Sequence, residues 1–335
     1  MKLKREAWLD ISKAYAIILV VIGHVVGGYT GNYSNEAYDK FVSITLFLIY
    51  SFHMPLFFFL SGYSYAIQEN SDDRKSYVRF LKKKARRLLI PYVVFTSLQV
   101  LIKLPFQGKI SSVVSWKSIP LMILIPVDQF WYLYVLFVVS ALVAFIDWKN
   151  KSKLLNLCVI VFAYVSGALL SIVMPGVVKE NSSVLLNVMK YSLFFYCGAI
   201  FKRKKKRLSI SQSVYCFLAF VFISSISQWI KNEIISYFVI MTIMAFVGIG
   251  FVVGISMNIK AMWKSRNLLL IGRETMSIYI FHVLICAVIR ILLFRIGITN
   301  FWFGITVGNI ASIYLPILIV YIWRKLYQTA TSYIV

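Results

Sequence analysis

Ten long apolar segments recur along this chain of 335 residues, and they constrain its fold more than any other feature. Each is about 17 to 25 residues long, the length that an α-helix needs to cross the hydrocarbon core of a bilayer. Because hydrocarbon offers the backbone no hydrogen-bond partner, segments of this kind must be helical. The sequence therefore predicts an all-α, polytopic membrane bundle with about ten transmembrane helices. The predicted spans are residues 11–28, 41–66, 88–105, 128–147, 154–173, 185–201, 212–230, 235–257, 275–294 and 303–323.

The charged residues agree with this interpretation and predict a topology. Only 14% of the residues are charged whereas 60% are hydrophobic, a composition that excludes an ordinary soluble domain. The net charge of +24 comes from short basic clusters between the apolar segments, so anionic lipid head groups explain it better than nucleic acid does. About three quarters of the 36 Lys and Arg residues fall on one side of a ten-span layout. The positive-inside rule then places both termini in the cytoplasm.

The sequence gives no sign of a second domain. No repeat, low-complexity tract or charged linker divides the chain, so we predict a single membrane domain over residues 1–335. The first span lacks a small-residue cleavage site, and we expect it to be retained. Residues 118–127, interrupted by Pro120 and Pro126, predict a re-entrant or interfacial segment.

The four cysteines predict neither a metal site nor a disulfide framework. They are scattered singly through apolar segments, without the spacing of metal ligands. We therefore predict small interior side chains at these positions and no bound metal. The cysteines are Cys158, Cys197, Cys216 and Cys286.

Two polar residues, Lys13 and His24, stand out in the first span. Eleven residues complete about three helical turns, so the two side chains lie on one face, about 16 Å apart along the axis. Asp10, three residues before Lys13, lies on nearly the same side. A cation near one membrane surface and an imidazole well inside are costly to keep in a membrane, which predicts a functional role for this face.

The second span places His53 and Ser61 in an otherwise apolar wall. His53 lies about 13 residues, or roughly 20 Å, from the predicted cytoplasmic boundary, which is also the depth of His24. A lone buried histidine is most often a structural residue. Two histidines at a common depth on consecutive spans favour a shared polar cavity.

A basic run precedes the third span and contains Lys83, Lys84, Arg86 and Arg87. One interpretation is ordinary positive-inside anchoring. The other is a binding site for a multiply phosphorylated anion, because Arg and Lys side chains suit its charge and geometry. The residues themselves leave both interpretations open.

Later spans contain five further polar residues that could belong to a site. Asp128 and Tyr132 open the fourth span near the predicted outer surface, where aromatic residues are usually interfacial anchors. In the ninth span, Cys286 and Arg290 follow His282 at positions i+4 and i+8. This spacing predicts a continuous polar strip along one face of that helix.

Five of these segments share their order and spacing with a known family. They are WLDISKAYAIILVVIGH (8–24), FHMPLFFFLSGY (52–63), KKKARRLLIPY (82–92), FWYLYVLF (130–137) and GRETMSIYIFH (272–282). Together they resemble the membrane-bound acyltransferase family 3, particularly its fucose O-acetylase-like branch. The resemblance runs from about residue 8 to 325 and is strongest up to residue 95. Members of this family have about ten spans and move an acyl group, usually acetyl from cytoplasmic acetyl-CoA, onto a sugar hydroxyl.

The resemblance implies roles for individual residues. His24 matches the family's essential first-span histidine, and we expect it to act as a base or a transient acyl carrier, with His53 in support. Lys13 stands where most relatives have arginine, and Lys84 with Arg87 resembles a basic pair ahead of the third span. The residues expected to bind the CoA part of the co-substrate are Lys13, Lys83, Lys84, Arg86 and Arg87.

The resemblance therefore implies an O-acyltransferase of a bacterial-type cytoplasmic (inner) membrane. Its acceptor would be a cell-surface polysaccharide, a lipopolysaccharide or a glycolipid precursor, so that acyl-CoA, a glycan or lipid-linked sugar and membrane lipids are the expected partners. Some relatives carry an appended hydrolase-like domain, and we expect this chain to act with its membrane part alone. Two other classes stay open. A secondary transporter or flippase for a glycan-linked substrate more often shows a paired repeat, and a scaffold needs no matched histidines.

Overall fold

The structure, a computed structural model, describes residues 6–31, 35–67, 74–104, 116, 120, 126–173, 184–227, 234–259 and 266–332. Every regular element within these ranges is helical. Most of the predicted re-entrant segment, residues 118–127, lies outside the described residues. The α-helices are α1 (Ala7–Gly27), α2 (Glu36–Tyr50), α3 (His53–Ile67), α4 (Arg74–Lys103), α5 (Trp131–Lys149), α6 (Lys153–Val173), α7 (Val184–Arg203), α8 (Ile210–Ser227), α9 (Ile234–Asn258), α10 (Arg266–Arg273), α11 (Thr275–Arg295) and α12 (Phe301–Ser332).

Ten helical segments of the described chain are long and apolar enough to cross a membrane, with α2 and α3 together forming one of them. This confirms the all-α, ten-span prediction. Large apolar side chains are exposed along the helices, as expected where a surface faces lipid. Cys158 is among the exposed residues on α6, so the interior position predicted for it is wrong. The side of the membrane on which each terminus lies stays a prediction.

The second span differs from the continuous helix predicted over residues 41–66. Helix α2 ends at Tyr50, and α3 begins at His53. Pro55 is then the third residue of a new helix, where its missing N–H costs nothing because the first four N–H groups have no intrahelical acceptor. The His53 Nδ1 atom donates to the Ile49 carbonyl at 2.8 Å, which satisfies an acceptor at the break.

The third span begins earlier than predicted. The sequence analysis placed its start at residue 88, after the basic run, whereas α4 is one helix from Arg74 to Lys103. Lys and Arg are good helix formers, so the basic run continues the helix instead of forming a loop. Pro91 lies inside α4 and cannot donate to the Arg87 carbonyl. The basic side chains therefore have helical spacing.

The chain forms two compact units. The first comprises residues up to Phe57 and from Arg207 onward, and the second comprises Phe58–Lys206. In the first unit α1 packs against α2, α9, α10, α11 and α12, so the helix with the Lys13 and His24 face lies at its centre. Its contact with α10 is close, because a Cβ atom added at Gly272 would strike the Asp10 backbone carbonyl.

In the second unit, α5 packs against α4, α6 and α7. Helices α3 and α7 approach each other at two glycines. A Cβ added at Gly62 would strike the Phe195 carbonyl, and one at Gly198 would strike the Phe59 carbonyl. Small residues permit this backbone approach between membrane helices.

Candidate active site

The predicted polar face of α1 is partly exposed at its two ends and buried between them. Lys13 and His24 are both half-buried, while Ile17 and Val20 between them are buried. Asp10 is only 2% exposed, and its carboxylate lies 4.0 Å from the Lys13 ammonium. The face therefore carries a buried acid that partly compensates Lys13 at one end and an accessible imidazole at the other.

His282 of α11 lies against His24. The two ring centroids are 5.0 Å apart and the ring planes meet at 65°. His282 is fully buried, and its Nδ1 contacts the carbonyl oxygens of Ile278 at 3.1 Å and Tyr279 at 2.8 Å. Carbonyl oxygens only accept, so Nδ1 carries the proton and the neutral ring leaves Nε2 as an acceptor. This Nε2 is buried and has no hydrogen-bond partner among the described residues.

His53 has the same tautomer for the same reason. Its Nδ1 donates to the Ile49 carbonyl, which leaves Nε2 as the acceptor. His53 is 8% exposed and lies within electrostatic range of His24. The protein has only three histidines, and the first unit brings all of them together. His24 is the most accessible of the three.

Tyr50 also lies close to this histidine group, and the sequence analysis did not identify it. Its ring centroid is 5.1 Å from that of His53. A Cβ added at Gly23 would lie 2.9 Å from Tyr50 Cε1, so the glycine before His24 makes room for this ring. The Gly–His pair is the one sequence signal that pointed to a close neighbour there.

The predicted strip on α11 contacts α1 at two points. His282 meets His24, and the Arg290 guanidinium donates to the carbonyl of Gly28, the residue that ends α1. A cation at a helix C-terminus is favourable because the unpaired carbonyls there carry partial negative charge. Between them, Cys286 donates to the Val283 carbonyl of its own helix. Helix α11 therefore holds the end of α1 that carries His24.

In the second unit, five basic side chains line one open cavity of about 460 Å³. We call this set the α4 basic face. Its members recur at helical spacing, at positions i, i+3, i+4, i+7 and i+8, and all are exposed. They are Arg79, Lys82, Lys83, Arg86 and Arg87.

Among the residues of α4, the basic face differs from the predicted set at three positions. Lys84 is not among the residues that line the cavity, and its ammonium lies 5.5 Å from the Phe80 ring centroid. Arg79 and Lys82 were missed, because the run was not taken to be helical. Lys13 belongs to the first unit, so its predicted convergence with these residues stays a prediction.

The remaining candidates have contacts typical of structural residues. Tyr132 is buried, not an interfacial anchor, and Ser61 lies within hydrogen-bonding reach of its hydroxyl. The Asp128 carboxylate accepts from Lys103 at 2.6 Å and from Gln99 at 2.7 Å, which ties α4 to the start of α5. No group of three or more His, Cys, Asp or Glu side chains in the described part of the chain is arranged to hold a metal ion.

Asp147, at the end of α5, is a buried acid that the sequence analysis did not identify. It accepts hydrogen bonds from four side chains, which come from three other helices. The donors are Tyr65 at 3.0 Å, Lys153 at 3.2 Å, Asn156 at 2.9 Å and Arg203. The Arg203 guanidinium also lies over the rings of Tyr65 and Tyr196. This cluster fastens α3, α5, α6 and α7 together.

Comparison with known proteins supplies the family. The acyltransferase domain family matches residues 6–321. The chain is 36% identical over 98 residues to nodulation protein NolL of Sinorhizobium fredii and 33% identical over 94 residues to that of Mesorhizobium japonicum, each alignment covering 28% of this chain and 24% of the relative. The chain thus spans about a quarter of the length of these relatives, and no solved structure matches it. Because the family match covers nearly the whole chain and ten helices suit a membrane, the protein is a multi-pass membrane protein that belongs to acyltransferase family 3.

Proposed function

We propose that the protein is an O-acyltransferase that moves an acetyl group from cytoplasmic acetyl-CoA to a sugar hydroxyl of a cell-surface polysaccharide, lipopolysaccharide or glycolipid precursor. One observation carries the proposal: an accessible imidazole, His24, lies beside two buried histidines within a helical membrane unit. Polar groups inside a membrane are costly and usually mark a substrate pathway or a site of proton transfer. The proposed location is the cytoplasmic membrane of a bacterial-type cell.

The chemistry requires a group that handles one proton. The sugar hydroxyl gives its proton to an imidazole nitrogen of His24 as its oxygen attacks the thioester carbonyl. The new C–O ester bond forms, the C–S bond breaks, and the departing CoA sulfur takes the proton from the imidazolium. If His24 instead accepts the acyl group first, its nitrogen attacks the thioester carbonyl, the C–S bond breaks and CoA leaves as the thiolate. The sugar hydroxyl then attacks the acyl-imidazole, the C–N bond breaks, and the hydroxyl proton neutralises the thiolate. Both routes start from a neutral, accessible imidazole.

The donor's phosphates are assigned to the α4 basic face. Five exposed cations at helical spacing line one cavity, which concentrates positive charge where a multiply phosphorylated group could enter. Arginine binds phosphate oxygens through two parallel N–H donors, and Lys82 and Lys83 add mobile charge. The alternative role for these residues is anchoring to anionic lipid, which also needs positive charge but no defined cavity.

The test of the proposal combines two assays. Purified protein is mixed with acetyl-CoA in the presence and absence of membrane glycan extract, and release of free thiol is followed. Glycans from cells with and without the gene are compared by mass spectrometry. We expect acceptor-dependent thiol release and a glycan that gains the mass of one acetyl group. Identical glycans in the two strains, with no thiol release, would contradict the proposed function.

A further inference from the structure

One imidazole nitrogen of His282 donates a hydrogen bond, and the other has no hydrogen-bond partner among the described residues. Its Nδ1–H is directed at two carbonyl oxygens of its own helix, at 2.8 and 3.1 Å. These contacts fix the tautomer with the proton on Nδ1, whether or not substrate is bound. The other nitrogen, Nε2, is fully buried and is unbonded within the described part of the chain. A buried acceptor without a donor is unfavourable, and proteins keep such groups where a function uses them.

The ring that His282 faces belongs to His24, at a centroid separation of 5.0 Å and in an edge arrangement. At this separation two imidazoles are close enough for the N–H of one to reach the nitrogen of the other after a small rotation. His24 is half-buried, so it is open on another side. One ring nitrogen of His24 can therefore hydrogen-bond to His282 while the other faces the accessible side of the ring.

We propose that His282 is a positioning residue, whose Nε2 accepts a hydrogen bond from a ring N–H of His24 and so directs the other nitrogen of His24 toward the acceptor hydroxyl. This inference rests on the proposed function of His24. When His24 takes the hydroxyl proton it becomes an imidazolium, and its bond to His282 then has a charged donor. Such bonds are stronger than neutral ones, so His282 stabilises the transition state more than the ground state.

The fold keeps His282 in place for this role. Two turns further along α11, Arg290 binds the carbonyl of Gly28, four residues after His24. Helix α11 therefore contacts the His24 turn of α1 at two points, which limits sliding and rotation between the helices. His53 differs, since its Nδ1 donor serves the carbonyl at the α2–α3 break and its ring lies beside Tyr50.

The first test compares two substitutions of similar size. His282→Leu removes the acceptor, and His282→Gln keeps an amide oxygen that accepts. We expect His282→Leu to lower kcat about 10- to 100-fold with the donor KM unchanged, and His282→Gln to recover most of that loss. Ser312→Ala is the matched control, because it removes a different buried polar atom that has no described hydrogen-bond partner in the same unit. It should retain parental kcat.

The outcomes separate this inference from the proposed function. Parental kcat in His282→Leu beside an inactive His24→Ala would overturn the positioning role alone. Equal losses in His282→Leu and His282→Gln, or a change confined to KM, would also overturn it, because they indicate packing or binding. Acyl transfer by His24→Ala at close to the parental rate would instead overturn the role of His24, on which this inference rests. No acyl transfer by the parental protein would overturn the proposed function.

A second measurement determines the tautomer of His282 in the unaltered protein and then compares it with His24→Ala. Because the protein has only three histidines, ¹⁵N labelling of the imidazoles gives three ring systems in an NMR spectrum. We expect His282 to show a protonated Nδ1 and an unprotonated Nε2, whose resonance shifts in His24→Ala. A protonated Nε2 at His282, or an Nε2 resonance with the same chemical shift in His24→Ala, would overturn the proposal.

Discussion

The two compact units each bury a polar cluster, and the clusters differ in the number of donors that reach the buried acceptor at the centre of each. In the second unit Asp147 accepts from four side-chain donors of three other helices. In the first unit, His282 Nε2 accepts from none of the described donors. A buried carboxylate with several donors rigidifies a structure, whereas a buried acceptor without a donor, beside an accessible imidazole, suits proton binding or transfer. Under the proposed function, the Asp147 cluster is structural and the histidine cluster is chemical.

The largest expected effect is the loss of stability on removing Asp147. Asp147→Ala leaves the buried Arg203 guanidinium without its carboxylate, and breaking a buried ion pair in this way costs about 3 to 5 kcal/mol. Asp128→Ala is the matched control, because its ion pair with Lys103 is partly exposed and is worth about 1 kcal/mol or less. Thermal unfolding in detergent measures both. Equal melting temperatures for the two variants would erase the distinction between the clusters.

The second prediction concerns His53, one of the two buried histidines near His24. His53→Ala should lower kcat by about tenfold, since it removes one neutral hydrogen bond at the α2–α3 break and shifts the neighbours of His24. The loss should be smaller than that of His24→Ala. Steady-state acyl transfer by purified variants decides this, and a larger loss in His53→Ala would exchange their assigned roles.

Donor binding gives a smaller effect, and it sharpens the assignment of the second unit. Arg87→Ala should weaken CoA binding up to about fivefold at low salt and less at high salt, because the lost interaction is an exposed charge contact. Lys84→Ala should weaken it less, since that side chain is not among those lining the cavity. Titration calorimetry at two ionic strengths measures both affinities. If Lys84→Ala were the weaker binder, the cavity would not be the donor site.

The smallest predicted effect lies at the end of α1. Arg290→Gln removes the cation that binds the Gly28 carbonyl, which should cost about 0.3 to 1 kcal/mol of stability. Arg295→Gln removes the same charge from an exposed position on the same helix and should cost almost nothing. Differential scanning fluorimetry of the two variants tests this. A larger shift for Arg295→Gln would remove the reason to regard Arg290 as a cap.

Much of this fold was predictable, because a membrane leaves the backbone few choices. An apolar run of sufficient length must be a helix, so the ten spans followed directly from the sequence. The Lys13 and His24 face followed from helical periodicity alone, since both residues lie on one helix. The start of α4 at Arg74 was not predicted, because the span was defined by its apolar residues alone, although Lys and Arg favour helix.

Contacts between distant helices were not predictable. Arg203 lies 56 residues from Asp147, and Arg324 lies 50 residues from its partner Glu274, to which it donates at 2.7 Å. Nothing in the spacing of either pair indicates a contact, because helix order does not fix which faces meet. His282 was a candidate for the same reason that His24 was, as a polar residue in an apolar span. Only the packing of α11 on α1 placed it against His24.

The central claim is that His24 carries the chemistry, and acyl transfer by His24 variants tests it most directly. His24→Ala, with His24→Gln as a control of similar shape, is purified, shown to insert normally and shown to bind CoA with parental affinity. The loss of a general base lowers rate by about 10² to 10⁴, so we predict that both variants bind the donor but fail to modify glycan at a useful rate. Glycan modification by either variant at close to the parental rate would contradict the claim and reduce His24 to a structural histidine.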